Sequence, residues 1–280
     1  MLGHEIAGTV VSPDPTGAGP PAGTRVAILP ARRCGTCPAC RSGAGNRCPQ
    51  QATTSIGLGL RDGGYAEQVA VPASACHPLP AGTTADRGAL AEPYAVALHA
   101  VGRSRAVHDP DVAVLVIGAG SVGLMCAAAL RRAGVARVAV AEPRPARAAV
   151  AASLGAAAAD DAAAGARALG RAPDVVFEAA GTPHSPGLAV ETAAAGGQVV
   201  LLGAAAPGET VALPELLWLV KRSTCARRSP TRTPSSRLRS TRWRAARSTR
   251  WWRRSTTGRS TGRGRPSSSS SGPTGRSKWS

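Results

Sequence analysis

Four cysteines spaced Cys34-x2-Cys37-x2-Cys40-x7-Cys48 are the densest set of metal-ligating side chains in this sequence. Gly35, Pro38, Gly43 and Gly45 are interleaved with them, so the chain can wrap four thiolates around one ion. A closed tetrahedral shell of four sulfurs suits Zn²⁺ and leaves no position for a substrate, which makes such a site structural. An iron–sulfur cluster or free thiols are the alternatives that the spacing leaves open. His4 beside Glu5 reads from spacing alone as a surface pair. Glu92, just before Pro93, reads as a helix-start acid, favourable at an N-terminus without any metal.

The second chemical signal is Gly118-Ala-Gly120-Ser-Val-Gly123. It follows an apolar run of strand length, Val112 to Ile117, and opens a small-residue helical pattern, Leu124 to Ala133. A further apolar run ends on Glu142. Strand, glycine turn, helix, strand and acid in this order are the dinucleotide-binding fingerprint. Gly118 permits the tight turn, Gly120 lets backbone approach a pyrophosphate, and Gly123 lets helix and strand pack closely. Ser121 and Val122 begin the helix whose N–H groups face the phosphates. Glu142 comes some 20 residues on, where a carboxylate accepts both hydroxyls of the adenosine ribose and repels a 2′-phosphate. NAD is therefore expected in preference to NADP. Arg144 and Arg147 could suggest a 2′-phosphate site, but beside Glu142 they read as solvent-facing.

These residues need elements to position them. Ile6 to Val11 alternates as a strand, and Arg25 to Leu29 is another. Beyond Glu142 the pattern predicts a helix over Arg144 to Leu154, a weak strand over 156–159 and a helix over 162–169. A strand over 174–181, a helix over about 186–195 and a strand over 197–203 follow. Continuous β-branched runs of this kind belong to a parallel sheet covered on both faces. The expected fold class is α/β, with a doubly wound parallel sheet of five strands.

Charge divides the 280 residues in two. Residues 1–222 carry 18 Lys and Arg against 16 Asp and Glu; residues 223–280 carry the other 16 basic residues and no acid. That tail, rich in Ser and Thr, has too little apolar surface to bury a core and is expected to be disordered. Trp243, Trp251 and Trp252 among the arginines would suit non-specific nucleic-acid binding. The other reading is a frameshift near Lys221. With GC-rich codons, the tail read two nucleotides out of phase returns helical and strand periodicity in order. No segment reaches membrane-spanning length, and Met1 leads into Gly3-His4-Glu5 without a basic, apolar leader. Clustered cysteines fit a reducing compartment, so a cytoplasmic location is expected.

Gly3-His4-Glu5, the four-cysteine lobe, Gly63-Gly-Tyr-Ala-Glu-Gln-Val69 and the glycine turn together resemble the zinc-dependent medium-chain alcohol dehydrogenases. Ala91-Glu-Pro-Tyr-Ala-Val-Ala-Leu-His-Ala-Val101 resembles their polyol (sorbitol-like) and threonine dehydrogenase branch. The resemblance implies a partial GroES-like β-barrel catalytic domain over 1–95 carrying the zinc lobe. It implies a Rossmann NAD-binding domain over 96–222, with the tail over 223–280 outside both. It implies a catalytic zinc at His4 and Glu92, with Glu5 close to or within its shell, and a structural zinc at Cys34, Cys37, Cys40 and Cys48. Backbone at Gly181 and Gly203 would line the dinucleotide. The implied reaction is hydride transfer between a secondary alcohol or polyol and NAD.

The same resemblance implies a further zinc ligand, a cysteine in a Cys-Gly-x-Asp-like motif, that would precede Gly3. It also implies earlier barrel strands, so Ile6–Val11 and Arg25–Leu29 are expected to lack partners. The sixth sheet strand and the edge that forms the family's oligomers are expected to be missing, and activity to be impaired. Without the metal or the hydride step, the chain would be a zinc-stabilised nucleotide-binding module. Cys76 in a loop, Cys126 on the nucleotide-domain helix and Cys225 in the tail read as free thiols. His77, His108 and His184 read as surface or turn residues, and His99 as structural.

Overall fold

The alternating stretch after Glu5 finds its partner in the apolar run after Gly23. In the computed structural model, which describes residues 2–58, 60–109 and 111–227, β1 (Ala7–Thr9) pairs antiparallel with β2 (Arg25–Ile28). β2 takes β3 (Cys76–Pro78) on its other edge. The expectation that both strands lack partners is thereby corrected. A returning segment supplies the backbone donors and acceptors that β2 needs, because strand pairing asks for backbone groups rather than particular side chains. Cys76 accordingly opens a strand and does not sit in a loop. Val26, Ile28, Ile56 and Ala75 form the small core beneath this sheet.

Short helices occupy the long excursion between β2 and β3. α1 (Pro38–Arg41) starts at Cys37, whose sulfur accepts from the Cys40 N–H. A 3₁₀ turn (Gly45–Arg47) and α2 (Gln51–Thr54) follow. Past β3, α3 (Ala85–Ala89) packs on β1 and β2, and α4 (Ala91–Arg103) packs on the helix after the glycine turn.

From residue 113 strands and helices alternate. They are β4 (Ala113–Ile117), α5 (Ser121–Arg132), β5 (Arg137–Ala141), α6 (Pro145–Ser153), β6 (Ala157–Ala159) and α7 (Ala162–Leu169). β7 (Val175–Glu178), α8 (Ser185–Thr192), β8 (Gln198–Leu201), α9 (Glu215–Lys221) and β9 (Thr224–Arg227) complete the series. The sheet is parallel in the order β6-β5-β4-β7-β8-β9. Successive side chains of a strand point to opposite faces, and both faces are filled here. Val114, Val116, Val138, Val140, Val175 and Phe177 join α4 and α5 in one core. Ala113, Leu115, Ile117, Ala139, Val176 and Val199 join α7 and α8 in the other. The strand order reverses between β4 and β7, and the crevice at their C-terminal ends is where doubly wound sheets bind ligands.

β9 corrects the expectation that the sheet stops at five strands. Thr224–Arg227 contributes no aliphatic side chain beyond alanine, which is why the sequence reads as tail from Ser223. The open edge of β8 needs only backbone partners, and Gln198–Leu201 pairs with all four residues. The approach is tied down on both sides. Trp218 Nε1 donates to the Ser223 carbonyl at 2.6 Å. Lys221 Nζ donates to the Glu191 and Ala193 carbonyls at the end of α8, at 2.6 and 2.7 Å. The expected disorder, nucleic-acid binding and frameshifted text beyond Arg227 lie outside the described residues.

Candidate functional site

His4 and Glu5 reach their place through a contact that only glycine allows. The Gly64 N–H donates to the Gly3 carbonyl at 2.8 Å and the Tyr65 N–H to that of Leu2 at 3.3 Å. A Cβ on Gly57 or Gly63 would collide with the Gly3 carbonyl oxygen. The segment before β1 is thus seated on the 57–65 loop, backbone against backbone. Glu92 comes from the first turn of α4. The fold brings the ligand atoms of His4, Glu5 and Glu92 within 4.8 Å of one another, with Glu5 exposed and the other two half-buried. One imidazole and two carboxylates are hard-to-borderline donors suited to zinc, and three such ligands leave a position for substrate. The surface-pair reading of His4 and Glu5 therefore gives way to a three-residue cluster that spacing does not reveal.

The sulfurs of Cys34, Cys37, Cys40 and Cys48 also lie within 4.8 Å of one another. Cys34 Sγ and Cys40 Sγ are 3.9 Å apart, close to the ~3.8 Å edge of a tetrahedron with zinc–sulfur bonds of about 2.3 Å. Backbone N–H groups support the sulfurs: Cys37 donates to Cys34 Sγ at 3.3 Å, Cys40 to Cys37 Sγ at 3.4 Å and Cys34 to Cys48 Sγ at 3.4 Å. The Cys37 N–H, helped by Thr36, brings the Cys34 thiol down to about 6. Desolvation takes Cys40 the other way, to about 11. The donor set fits a closed four-thiolate zinc centre.

The glycine turn sits at the head of the crevice. Gly118 has φ +95°, a conformation that costs glycine little and other residues much. A Cβ on Gly123 would fall on the Gly118 carbonyl oxygen, so helix and strand pack at a spacing that only glycine permits. Ser121 and Val122 form the first turn of α5, whose N-terminus has no side-chain cap among the described residues, leaving its N–H groups to an anion. Glu142 is 5% exposed. Its Oε2 accepts from the Ala119 N–H at 2.9 Å and its Oε1 from the Arg144 N–H at 3.1 Å. The acid thus fixes the glycine loop, and a carboxylate retains lone pairs for further donors. Gly181 and Gly203 are brought face to face across the crevice from Gly118. A Cβ on Gly118 would lie 2.9 Å from Ala180 Cα, and one on Gly203 would collide with the Gly181 backbone.

Sequence reasoning passed over Glu178. It ends β7 at the switch point, and its side chain is 1% exposed. An acid closing an otherwise apolar central strand was the available signal.

Of the other residues singled out from sequence, Cys126 is buried in α5, and desolvation pushes its thiol up to about 12. Cys225 lies on β9 opposite Val199 and is exposed. His77 is exposed on β3, and His184 precedes α8.

Comparison with known proteins agrees with this geometry. Residues 1–81 match the alcohol dehydrogenase GroES-like domain, and residues 121–245 the zinc-binding dehydrogenase family, a match that runs past Lys221. Over 148 residues the chain is 41% identical to an L-galactonate-5-dehydrogenase of Escherichia coli, covering 52% of this chain and 41% of that protein. It is 33% identical over 217 residues to a sorbitol dehydrogenase of Arabidopsis thaliana, covering 72% and 58% respectively. The chain therefore spans about half the length of the curated relatives it matches. A structure from Sinorhizobium meliloti, described as a zinc-binding dehydrogenase bound to NADP, is 31% identical. It superposes with a TM-score of 0.73, covering 82% of this chain and 69% of that one.

Proposed function

The chain belongs to the zinc-dependent medium-chain alcohol dehydrogenase family, and from there we propose that it transfers hydride between a secondary alcohol or polyol and NAD. The observation that carries this reading is the convergence of His4, Glu5 and Glu92. Zinc held by them supplies Lewis acidity toward an alcohol oxygen, and NAD supplies the hydride acceptor. The chain's own residues do the rest. The first turn of α5 takes the pyrophosphate, and Glu142 takes the adenosine ribose. Gly181 and Gly203 keep the far side of the crevice free of side chains, so the nicotinamide half can lie on backbone. Cys34, Cys37, Cys40 and Cys48 hold a second zinc that orders the lobe.

NAD is preferred to NADP because a buried carboxylate at the ribose repels a 2′-phosphate. The catalytic domain corresponds to 1–95 and the dinucleotide domain to 96–222, with β9 added to its edge. A cytoplasmic location is proposed from the clustered cysteines, which suit a reducing compartment; among the described residues no helix is long and apolar enough to cross a membrane.

Metal analysis and ligand binding test this directly. The purified chain is expected to hold about two zinc ions. His4→Ala should remove one and leave the cysteine-bound ion in place. NADH should bind at least about tenfold more tightly than NADPH, and polyols should drive NADH formation. One zinc that survives His4→Ala, with no turnover of any polyol, would leave only a zinc-stabilised nucleotide-binding module.

A further inference from the structure

Glu178 is a carboxylate buried at the C-terminal end of a central strand, on the crevice where the strand order reverses. Its two oxygens are treated very differently. Oε1 accepts three hydrogen bonds, from the Ala180 N–H at 2.9 Å, the Gly181 N–H at 2.8 Å and the Ser185 hydroxyl at 2.8 Å. Oε2 is buried and accepts none from the described residues. It faces Gly203, where a Cβ would stand 2.7 Å away. The backbone of the same residue holds the other strip, its carbonyl accepting from the Leu202 and Gly203 N–H groups at 2.8 and 3.0 Å.

A buried acid that served only stability would be expected to have both oxygens answered, because an unanswered one carries its full desolvation cost. Here the bonding is concentrated on one turn. Ser185 carries it onward, taking the Thr182 N–H on its hydroxyl oxygen at 3.1 Å and giving its own N–H to Thr182 Oγ1 at 3.2 Å. The 180–185 turn is therefore held by this carboxylate together with the Thr182–Ser185 pair, whose Ser185 hydroxyl also lies 2.9 Å from the Thr182 carbonyl. On the cofactor reading, the N-terminus of α5 takes the pyrophosphate and Glu142, on the β5 side, takes the adenosine ribose. The remaining half of a dinucleotide must cross to the β7–β8 side, over Gly181 and Gly203.

Resting on the cofactor reading above, we propose that Glu178 is a positioning residue for the nicotinamide half of the dinucleotide. Its Oε1 draws the 180 and 181 N–H groups inward and its Oε2 abuts Gly203, so one side chain sets the separation of the two backbone strips that form the seat. The adenosine half depends on Gly118–Gly123 and Glu142 and is independent of it.

The test compares NADH with ADP-ribose, which has the adenosine, ribose and phosphates but no nicotinamide, in the full chain and in Glu178→Gln and Ser185→Ala. Glutamine keeps the shape and an acceptor at Oε1 but loses the charge that strengthens its bonds. Glu178→Gln is expected to weaken NADH about tenfold and ADP-ribose less than about twofold. Ser185→Ala, which removes one of three donors, should move NADH in the same direction by about threefold. The proposal is overturned if both ligands weaken in parallel, or if NADH binds both variants as it binds the original chain. If the original chain binds neither ligand, the cofactor reading itself fails, and that result is distinct from the other two.

Discussion

The two sheets reach their order by different means. In the parallel sheet Leu115, Val114, Val116, Val140, Val175, Val176 and Phe177 are all less than 2% exposed, and two separate cores cover its faces. The three-stranded sheet rests on Val26, Ile28, Ile56 and Ala75. A core that small does not offset the entropy of ordering the long excursion over 30–56, and small modules of this kind lean on metal ions or other cross-links. One region is held by apolar burial and presents glycine backbone at its crevice. The other has a small core and brings its candidate metal ligands together on side chains.

Metal removal should separate the two most widely. Structural zinc contributes on the order of 10 kcal/mol where metal binding and folding are one event. Stripping the chain with a strong chelator should abolish hydrogen-exchange protection across 34–56 while leaving ADP-ribose affinity within about twofold. Protection that persisted in the lobe without metal would end the contrast. Phe177→Ala is the converse experiment. Emptying that fully buried position should cost about 3–5 kcal/mol, read as a lower urea midpoint of the parallel sheet, with the cysteine-bound zinc still present. If both regions melted together in that variant, they would form one cooperative unit. Gly123→Ala is smaller again. The added methyl meets the Gly118 carbonyl and must push α5 from β4, at a cost of about 1–3 kcal/mol. NADH titration should show at least about a tenfold loss of affinity, with zinc content unchanged.

The same contrast governs what could be read from the residues. α7 has the bounds its pattern predicts, Ala162–Leu169, because Asp161 and Gly170 punctuate it chemically at both ends. The strand predicted over 174–181 closes early, at Glu178, because the Glu178 carboxylate takes the Ala180 and Gly181 N–H groups that a longer ladder would need. No periodicity announces such a competition. β9 is illegible for a related reason: edge pairing uses backbone, and Thr-Cys-Ala-Arg has no apolar signature. In the small region the cysteine spacing is local and readable. The meeting of His4 and Glu5 with Glu92 depends on Gly3 lying against Gly57 and Gly63, a tertiary contact that spacing cannot express and only the family resemblance implies.

Helix caps offer the finest comparison, because the same device occurs in both regions with different geometry. Asp161 Oδ1 accepts the Ala164 N–H at 2.7 Å at the start of α7, whose other end closes on Gly170 with φ +74°. Thr84 Oγ1 accepts the Arg87 N–H at 3.4 Å at the start of α3, beside β1 and β2. A short bond to a charged acceptor at a helix N-terminus gains from the dipole as well as from the bond, whereas one of 3.4 Å lies beyond the usual range. Asp161→Ala should therefore cost about 1 kcal/mol, and Thr84→Ala only a few tenths. Amide exchange measured separately in α7 and α3 reads each cost where it falls. Equal losses would mean that α3 depends on its cap as much as α7 does, and that the small region draws more of its order from local backbone chemistry than from its metal ligands.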